Sequence, residues 1–172
     1  YEDSALIENL DVGALVRQCL DVCHDLLQER GIDCQLDDRL GEQGARVRMS
    51  PIKLDLALSN LIRNAVDAME KTAQPQLQVK LEADARQVRI IIVDNGGGVD
   101  EAIMGQLFNP YVTTKQVGKG VGLGLSITQE IVQQQQGRLQ LQNCGAGACF
   151  IIELPLAPDE QGAADDHHYN TQ

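Results

Sequence analysis

Apolar residues between positions 11 and 30 fall in one stripe: Val12, Leu15, Val16, Cys19, Cys23, Leu26 and Leu27. This spacing predicts an amphipathic helix, with Gly31 placed to end it. Ile32 to Leu36 then alternates apolar and polar, as a half-buried strand does. A loop over Arg39 to Gly44 and a short strand over Ala45 to Met49 follow. Ser50-Pro51 reads as a helix start, Ser as N-cap and Pro at the first helical position. That helix is predicted to run to about Lys71, before the Gln74-Pro75 break. Leu77–Glu82 and Val88–Asp94 are predicted to pair as a hairpin, the run Ile90-Ile91-Ile92-Val93 suiting a strand buried on both faces. Residues 95–120 are the least regular stretch, around a short helical piece near 101–107. Val121 to Gln135 is predicted as a helix ended at Gly137. Leu139–Gln142 and Cys149–Leu154 close the fold as a hairpin, with Gly145 and Gly147 in its turn. Residues 1–10 are predicted to be an extended lead-in. The polar, acidic residues 157–172 are predicted to be a disordered tail.

The chain of 172 residues matches a single domain. With 43% apolar residues but only 3% aromatics and no Trp, its core must be aliphatic. Fourteen basic against 25 acidic residues give a net charge of −11. This disfavours nonspecific binding of nucleic acid or of an anionic membrane surface, while leaving room for a small anion held locally. No apolar run approaches the ~18 residues of a membrane span. The first residues lack a secretion signal and an initiator Met, so the chain is expected to be a piece of a longer protein. Five cysteines without a CxxC pair favour a reduced protein, in which Cys19 and Cys23 pack as small hydrophobes. His167 and His168 lie in the tail without partner ligands.

Candidate chemistry begins on the second helix. At roughly 100° per residue, Asn60, Asn64 and Asp67 fall on one strip, and Leu54, Leu58, Leu61, Ile62, Ala65, Ala68 and Met69 fall opposite. Asn is a poor helix-interior residue, so the strip is either a place for a hard cation bound through amide oxygens or an ordinary polar face. Asp94-Asn95-Gly96-Gly97-Gly98 directly follows a strand, placing a carboxylate beside bare backbone that a ligand could approach; the alternative is a simple turn. Gly118 to Ser126 runs into a helix, whose N-terminal amides favour phosphate. It is neither a P-loop nor a dinucleotide fingerprint. Phe108 to Lys115, between these loops, reads as a hinged flap carrying a cation.

Taken together, these segments resemble the sensor histidine kinases. Asn60-Leu61-Ile62-Arg63-Asn64-Ala65-Val66-Asp67-Ala68 looks like their N box, and Asp94-x-Gly96-x-Gly98 like their G1 box. Phe108-x-Pro110-Tyr111 with Thr113-Thr114-Lys115 is similar to the F box, and Gly120-x-Gly122-Leu123-Gly124-Leu125 to the G2 box. The four occur in the family's order and span about residues 8–156. The short lid and the Thr-Thr-Lys pattern look most like the nitrogen-regulation and C4-dicarboxylate sensors.

The resemblance implies an α+β, two-layer Bergerat fold: a mixed sheet with three helices on one face and a flexible ATP lid, expected over about residues 99–120. It implies ATP and Mg²⁺ as ligands. Asn64 would hold the Mg²⁺ that bridges the phosphates, and Asn60 would support the phosphates or the reacting centre. Asp94 would accept from the adenine amino group, with Gly96 and Gly98 giving room for the base. Lys115 would neutralise phosphate charge, beside Thr114. The backbone of Gly120, Val121, Gly122, Leu123 and Gly124 would hold phosphates, and Phe108 would anchor the lid. Asp67 and Arg63 are further candidate contacts. Three positions depart from the pattern. Gly97 stands where many members carry Pro, so a looser turn is expected. Val121 replaces a common Thr and loses its hydroxyl, and Tyr111 replaces a usual Phe.

By the same resemblance, the γ-phosphoryl of ATP passes to a His on a separate dimerisation module and then to an Asp of a response-regulator receiver domain. His24 lacks the acidic residue that follows the family's acceptor, so the acceptor helices are expected outside this chain. The implied partners are those helices and the receiver domain, with no nucleic acid and no direct membrane contact. The piece alone is expected to be monomeric and cytoplasmic, its parent homodimeric and anchored in the inner membrane. The alternatives are an ATPase of the gyrase, mismatch-repair and chaperone superfamily, a nucleotide-sensing module without catalysis, and a serine kinase of the anti-sigma type. The ATPases carry a Glu one turn before the Mg²⁺ Asn as general base. Here that position is Asn60, which takes no proton.

Overall fold

A computed structural model describes residues 6–100 and 122–158. The phosphate-side expectations for Phe108, Tyr111, Thr113, Thr114, Lys115, Gly120 and Val121, the helical piece near 101–107 and most of the expected lid lie outside the described residues.

Elements form where the apolar pattern changes period. Strand β1 (Glu8–Asp11) leads directly into helix α1 (Val12–Glu29), whose N-cap Asp11 accepts the Ala14 N–H at 3.1 Å. Residues 8–10, the end of the expected lead-in, are extended; the strand runs on to Asp11, expected in the helix, and pairs antiparallel with β3 (Arg46–Met49). Strand β2 (Asp33–Asp38) follows α1. Ser50 caps helix α2 (Pro51–Ala68) by accepting the Lys53 N–H, with Pro51 in its first turn, as the sequence predicts. The chain continues through β4 (Gln76–Ala83), β5 (Gln87–Asp94), α3 (Gly122–Gln134), β6 (Arg138–Cys144) and β7 (Gly147–Pro155).

The main sheet has the order β2-β4-β5-β7-β6. β2 and β4 run parallel and the other neighbours antiparallel, so the sheet is mixed. One face is dry. Leu77, Val79 and Leu81 of β4, Val88, Ile90 and Ile92 of β5, and Phe150, Ile152 and Leu154 of β7 join the apolar stripes of the helices in one core. Leu54, Leu58, Leu61 and Ile62 of α2 lie at its centre, and truncating any of them to Ala would cost about 2–5 kcal/mol.

Several expectations need correction. The run Ile90–Val93 is not buried on both faces: Ile91 and Val93 are half-exposed, because helices cover only one side of the sheet. Helix α2 stops at Ala68 rather than near Lys71. There the Met69 N–H is shared between the carbonyls of Ala65 and Val66, and tight turns over Glu70 and Thr72 replace the helix. Ala68 belongs to the apolar stripe by angle but is exposed at this frayed end. The residue that reverses the chain after α3 is Gln136, at φ 58°, not Gly137. Gly147 is the first residue of β7 rather than part of the turn before it. Cys19 is buried while Cys23 is only partly so. Ala157, expected in the tail, donates its N–H to the Arg46 carbonyl at 2.8 Å and is tied to β3.

Candidate nucleotide site

The site is assembled where α2, the end of β5 and the start of α3 meet. Helix α2 carries Asn60 and Asn64, both half-buried, and Asp67 and Arg63, both exposed. The Asn60 Nδ2 donates to the Gly124 carbonyl in the first turns of α3, at 3.5 Å. The Thr128 Oγ1, fully buried, donates to the same carbonyl at 2.9 Å. With its amide nitrogen turned toward α3, Asn60 presents Oδ1 on its other side, and among the described residues no donor meets that oxygen. The sequence-predicted contacts Asn60 and Gly124 are therefore brought together. Gly122 opens α3. The backbone amides at that end carry the positive pole of the helix dipole.

Asp94 ends β5 and is only 4% exposed, one of few polar side chains buried among the described residues. Its Oδ1 accepts the N–H of Gly96 at 2.9 Å and of Ala148 at 3.3 Å. Among the described residues Oδ2 receives no bond, so one carboxylate oxygen is held in place and the other remains an acceptor. Burial pushes the Asp94 carboxyl above the ordinary carboxylate range, and the Gly96 and Ala148 amides pull it partly back. Gly96 packs on the end of α2: a Cβ there would run into the Ala68 carbonyl oxygen. This close approach sets the turn after Asp94 against the C-terminal end of α2, the helix that carries Asn60 and Asn64.

The turn after Asp94 is tethered at Gly97, where the looser turn was expected. Gly97 adopts φ 95°, which Pro cannot, and donates its N–H, which Pro lacks, to the Ala146 carbonyl at 2.7 Å. Asn95 accepts the Gln76 N–H and donates to the Gln74 carbonyl, both at 2.9 Å, fastening the turn to the start of β4.

Sequence reasoning missed Thr128, Asn95 and Asn143. Asn143 could have been noticed, because Asn is depleted in strands and this one stands inside β6. One small cavity, about 90 Å³, lies under the β4–β5 turn between Glu82 and Arg89. It is well below the ~300 Å³ at which ligand pockets begin and apart from these residues.

The donor set fits a nucleotide and a hard cation. Among the described residues no three His, Cys, Asp or Glu side chains converge as a metal cage. Two neutral amides one turn apart on a helix suit a cation that takes its remaining ligands from phosphate oxygens and water. A buried carboxylate with one unfilled oxygen suits an exocyclic amine.

The pattern of histidine kinase-, DNA gyrase B- and HSP90-like ATPases matches residues 49–158, which contain all of these groups. The chain belongs to this ATPase family. Within the family, the relatives it matches include sensor kinases. It is 40% identical over 124 residues to the two-component sensor PprA of Pseudomonas aeruginosa, covering 67% of this chain and 13% of PprA. It is 31% identical over 118 residues to the C4-dicarboxylate transport sensor protein DctB of Rhizobium meliloti, covering 69% of this chain and 19% of DctB. The chain thus spans less than a quarter of the length of either relative. A nucleotide-free form of the catalytic domain of histidine kinase ThkA superposes with a TM-score of 0.79 at 25% identity, covering 89% of this chain and 99% of that one. The α+β fold expected from the sequence is therefore that of histidine kinase catalytic domains, and the chain is similar to C4-dicarboxylate sensors among others.

Proposed function

We propose that the chain is the ATP-binding catalytic domain of a sensor histidine kinase, which passes the γ-phosphoryl of ATP to a His on separate dimerisation helices for relay to a receiver-domain Asp. The observation that carries this reading is the buried Asp94, with one oxygen pinned by two backbone amides and the other unbonded among the described residues, on a turn packed against the end of the helix that bears Asn60 and Asn64. Asp94 accepts from the adenine amino group, and guanine offers a carbonyl at the corresponding position. The room expected of Gly96 and Gly98 for the base is used by the protein itself, since a Cβ at either would meet the Ala68 carbonyl or the Asn143 Oδ1, so they act by letting the turn take its path. Asn64 would hold Mg²⁺ and Asn60 would support the phosphates or the reacting centre, with Asp67 and Arg63 as further contacts. The α3 amides from Gly122 to Gly124 hold phosphate. Phe108, Thr114, Lys115, Gly120 and Val121 complete the site by resemblance, Lys115 neutralising phosphate charge. Bound Mg²⁺ would supply charge neutralisation along the triphosphate.

Asn60 stands where a hydrolytic relative would need a proton-accepting carboxylate. An amide accepts no proton, so the chain positions a nucleotide for an external nucleophile and hydrolyses it slowly. That distinguishes this reading from a gyrase-like ATPase. The response regulator as partner is supported by relatives named as two-component sensors. Among the described residues no helix is long and apolar enough to cross a membrane. Anchoring of the parent in the inner membrane, its homodimerisation and the cytoplasmic place of this domain are part of the same proposal.

Calorimetric titration with ATP and GTP, with and without Mg²⁺, tests the site: ATP is expected to bind more tightly than GTP, and Mg²⁺ to strengthen it. Mixing the chain with the dimerisation helices and labelled ATP tests transfer: acid-labile label is expected on those helices, and its absence would reject the kinase reading.

A further inference from the structure

The β6–β7 hairpin reaches across to the turn after Asp94 and holds it at several points. Asn143 makes a two-point clamp: its Oδ1 accepts the Val99 N–H at 2.8 Å, and its Nδ2 donates to the Val99 carbonyl at 2.8 Å. The side-chain amide thus pairs with both polar groups of one residue, and its orientation is fixed because one end must meet a donor and the other an acceptor. Next along the turn, a Cβ on Gly98 would meet the Asn143 Oδ1 at 2.8 Å. The Ala146 carbonyl receives the Gly97 N–H, and the Ala148 N–H reaches Asp94 itself. Every residue from Asp94 to Val99 except Asn95 and Gly98 therefore has a hydrogen bond from its backbone or side chain to this hairpin or within this turn. Asn95 is instead fastened to the start of β4.

We propose that Asn143 is a positioning residue for the base-binding end of the site: it fixes the path of Gly98-Val99, and through that turn holds the Asp94 carboxylate in the pose that selects adenine. The inference rests on the nucleotide reading above. Asn143 is exposed and both bonds lie where water can replace them, although the Val99 side chain itself is half-buried against the core. The clamp therefore contributes less to keeping the domain folded than to selecting one turn conformation among several that water would tolerate. A turn that spends only part of its time in the competent conformation weakens binding by that fraction, and a competent population of about one fifth weakens it about fivefold.

The test compares the unaltered chain with Asn143→Ala, which removes both bonds, Asn143→Asp, which keeps the shape and the bond from the Val99 N–H but opposes a carboxylate to the Val99 carbonyl, and Gln142→Ala on the same strand. Three quantities are read: hydrogen exchange of the Val99 amide without nucleotide, affinity for ATP and GTP with Mg²⁺, and melting temperature. In Asn143→Ala the Val99 amide is expected to lose protection. ATP affinity is expected to fall about fivefold, GTP affinity to change less, and the preference for ATP to narrow. Asn143→Asp is expected to lose ATP affinity as well, and Gln142→Ala to match the unaltered chain in all three readings. Both Asn143 variants binding ATP with unaltered affinity and preference would overturn the proposal, whether or not Val99 exchange accelerates. A fall in melting temperature with nucleotide affinity intact would reduce Asn143 to a structural role and overturn it too. If the unaltered chain itself binds no ATP, the nucleotide reading fails first and the proposal with it, a result told apart from the others by the unaltered chain alone.

Discussion

Replacing Asp94 by Asn changes one atom at the point on which base recognition depends. Only one atom of the new amide can accept a bond. The Gly96 and Ala148 N–H groups, at 2.9 and 3.3 Å from Oδ1, both need an acceptor. Turning the amide nitrogen toward them would strand buried donors at about 1–3 kcal/mol, so the amide oxygen takes the Oδ1 position. The NH₂ group then stands where Oδ2 was, and opposes a donor to the donor amine of the base. The loss includes a hydrogen bond to a charged group, about 1.5–3 kcal/mol, and part of the cost of an unpaired donor in a site only 4% exposed. A total of about 3 kcal/mol corresponds to about a hundredfold in Kd. Stability is expected to move little or upward, because the variant removes a carboxyl that burial disfavours in its charged form. Calorimetric titration with ATP–Mg²⁺ and GTP–Mg²⁺, alongside thermal melts of both proteins, reads the two effects separately. ATP affinity within threefold of the unaltered chain at an unchanged melting temperature would refute the role given to Asp94.

Three further outcomes follow from the same geometry. Gly96→Ala pushes a methyl group against the Ala68 carbonyl; the turn must shift, lowering stability by about 1–3 kcal/mol and weakening ATP binding, read by urea melts and titration. Gly97→Pro is expected to destabilise this chain by about 3 kcal/mol, because φ is 95° and the N–H to Ala146 is lost; a melting temperature equal to that of the unaltered chain would show that the turn adopts another path. The pH dependence of stability carries the Asp94 signature. Its folded-state value lies above the unfolded one, near 4, so its contribution is fully present below about pH 4 and is lost as pH rises through the raised folded value. Asp94→Asn lacks that loss, and urea melts should show the variant gaining on the unaltered chain as pH rises from about 4 through that window.

The sequence by itself determined the elements and the identity of the chemical groups. Ser50-Pro51 sets the start of α2 by local capping, and the stripe from Leu54 to Met69 sets its buried face, since both depend only on residues within a few turns. The positions of Asn60, Asn64, Asp94 and the glycines were legible because helical periodicity and turn chemistry are local rules. What the period could not supply was how many faces of β5 are covered. Ile90–Val93 reads as doubly buried, yet Ile91 and Val93 are half-exposed, because the number of helix layers is a property of the assembled domain. Tertiary structure alone decided that the Gly97 turn is tethered to Ala146, and that Asp94 has one oxygen satisfied and the other unbonded among the described residues. It likewise decided that Asn143, 44 residues away from Val99, grips that turn. Each of these is a contact across distant strands. No spacing along the chain encodes such a contact; it exists only once β5, β6 and β7 are side by side.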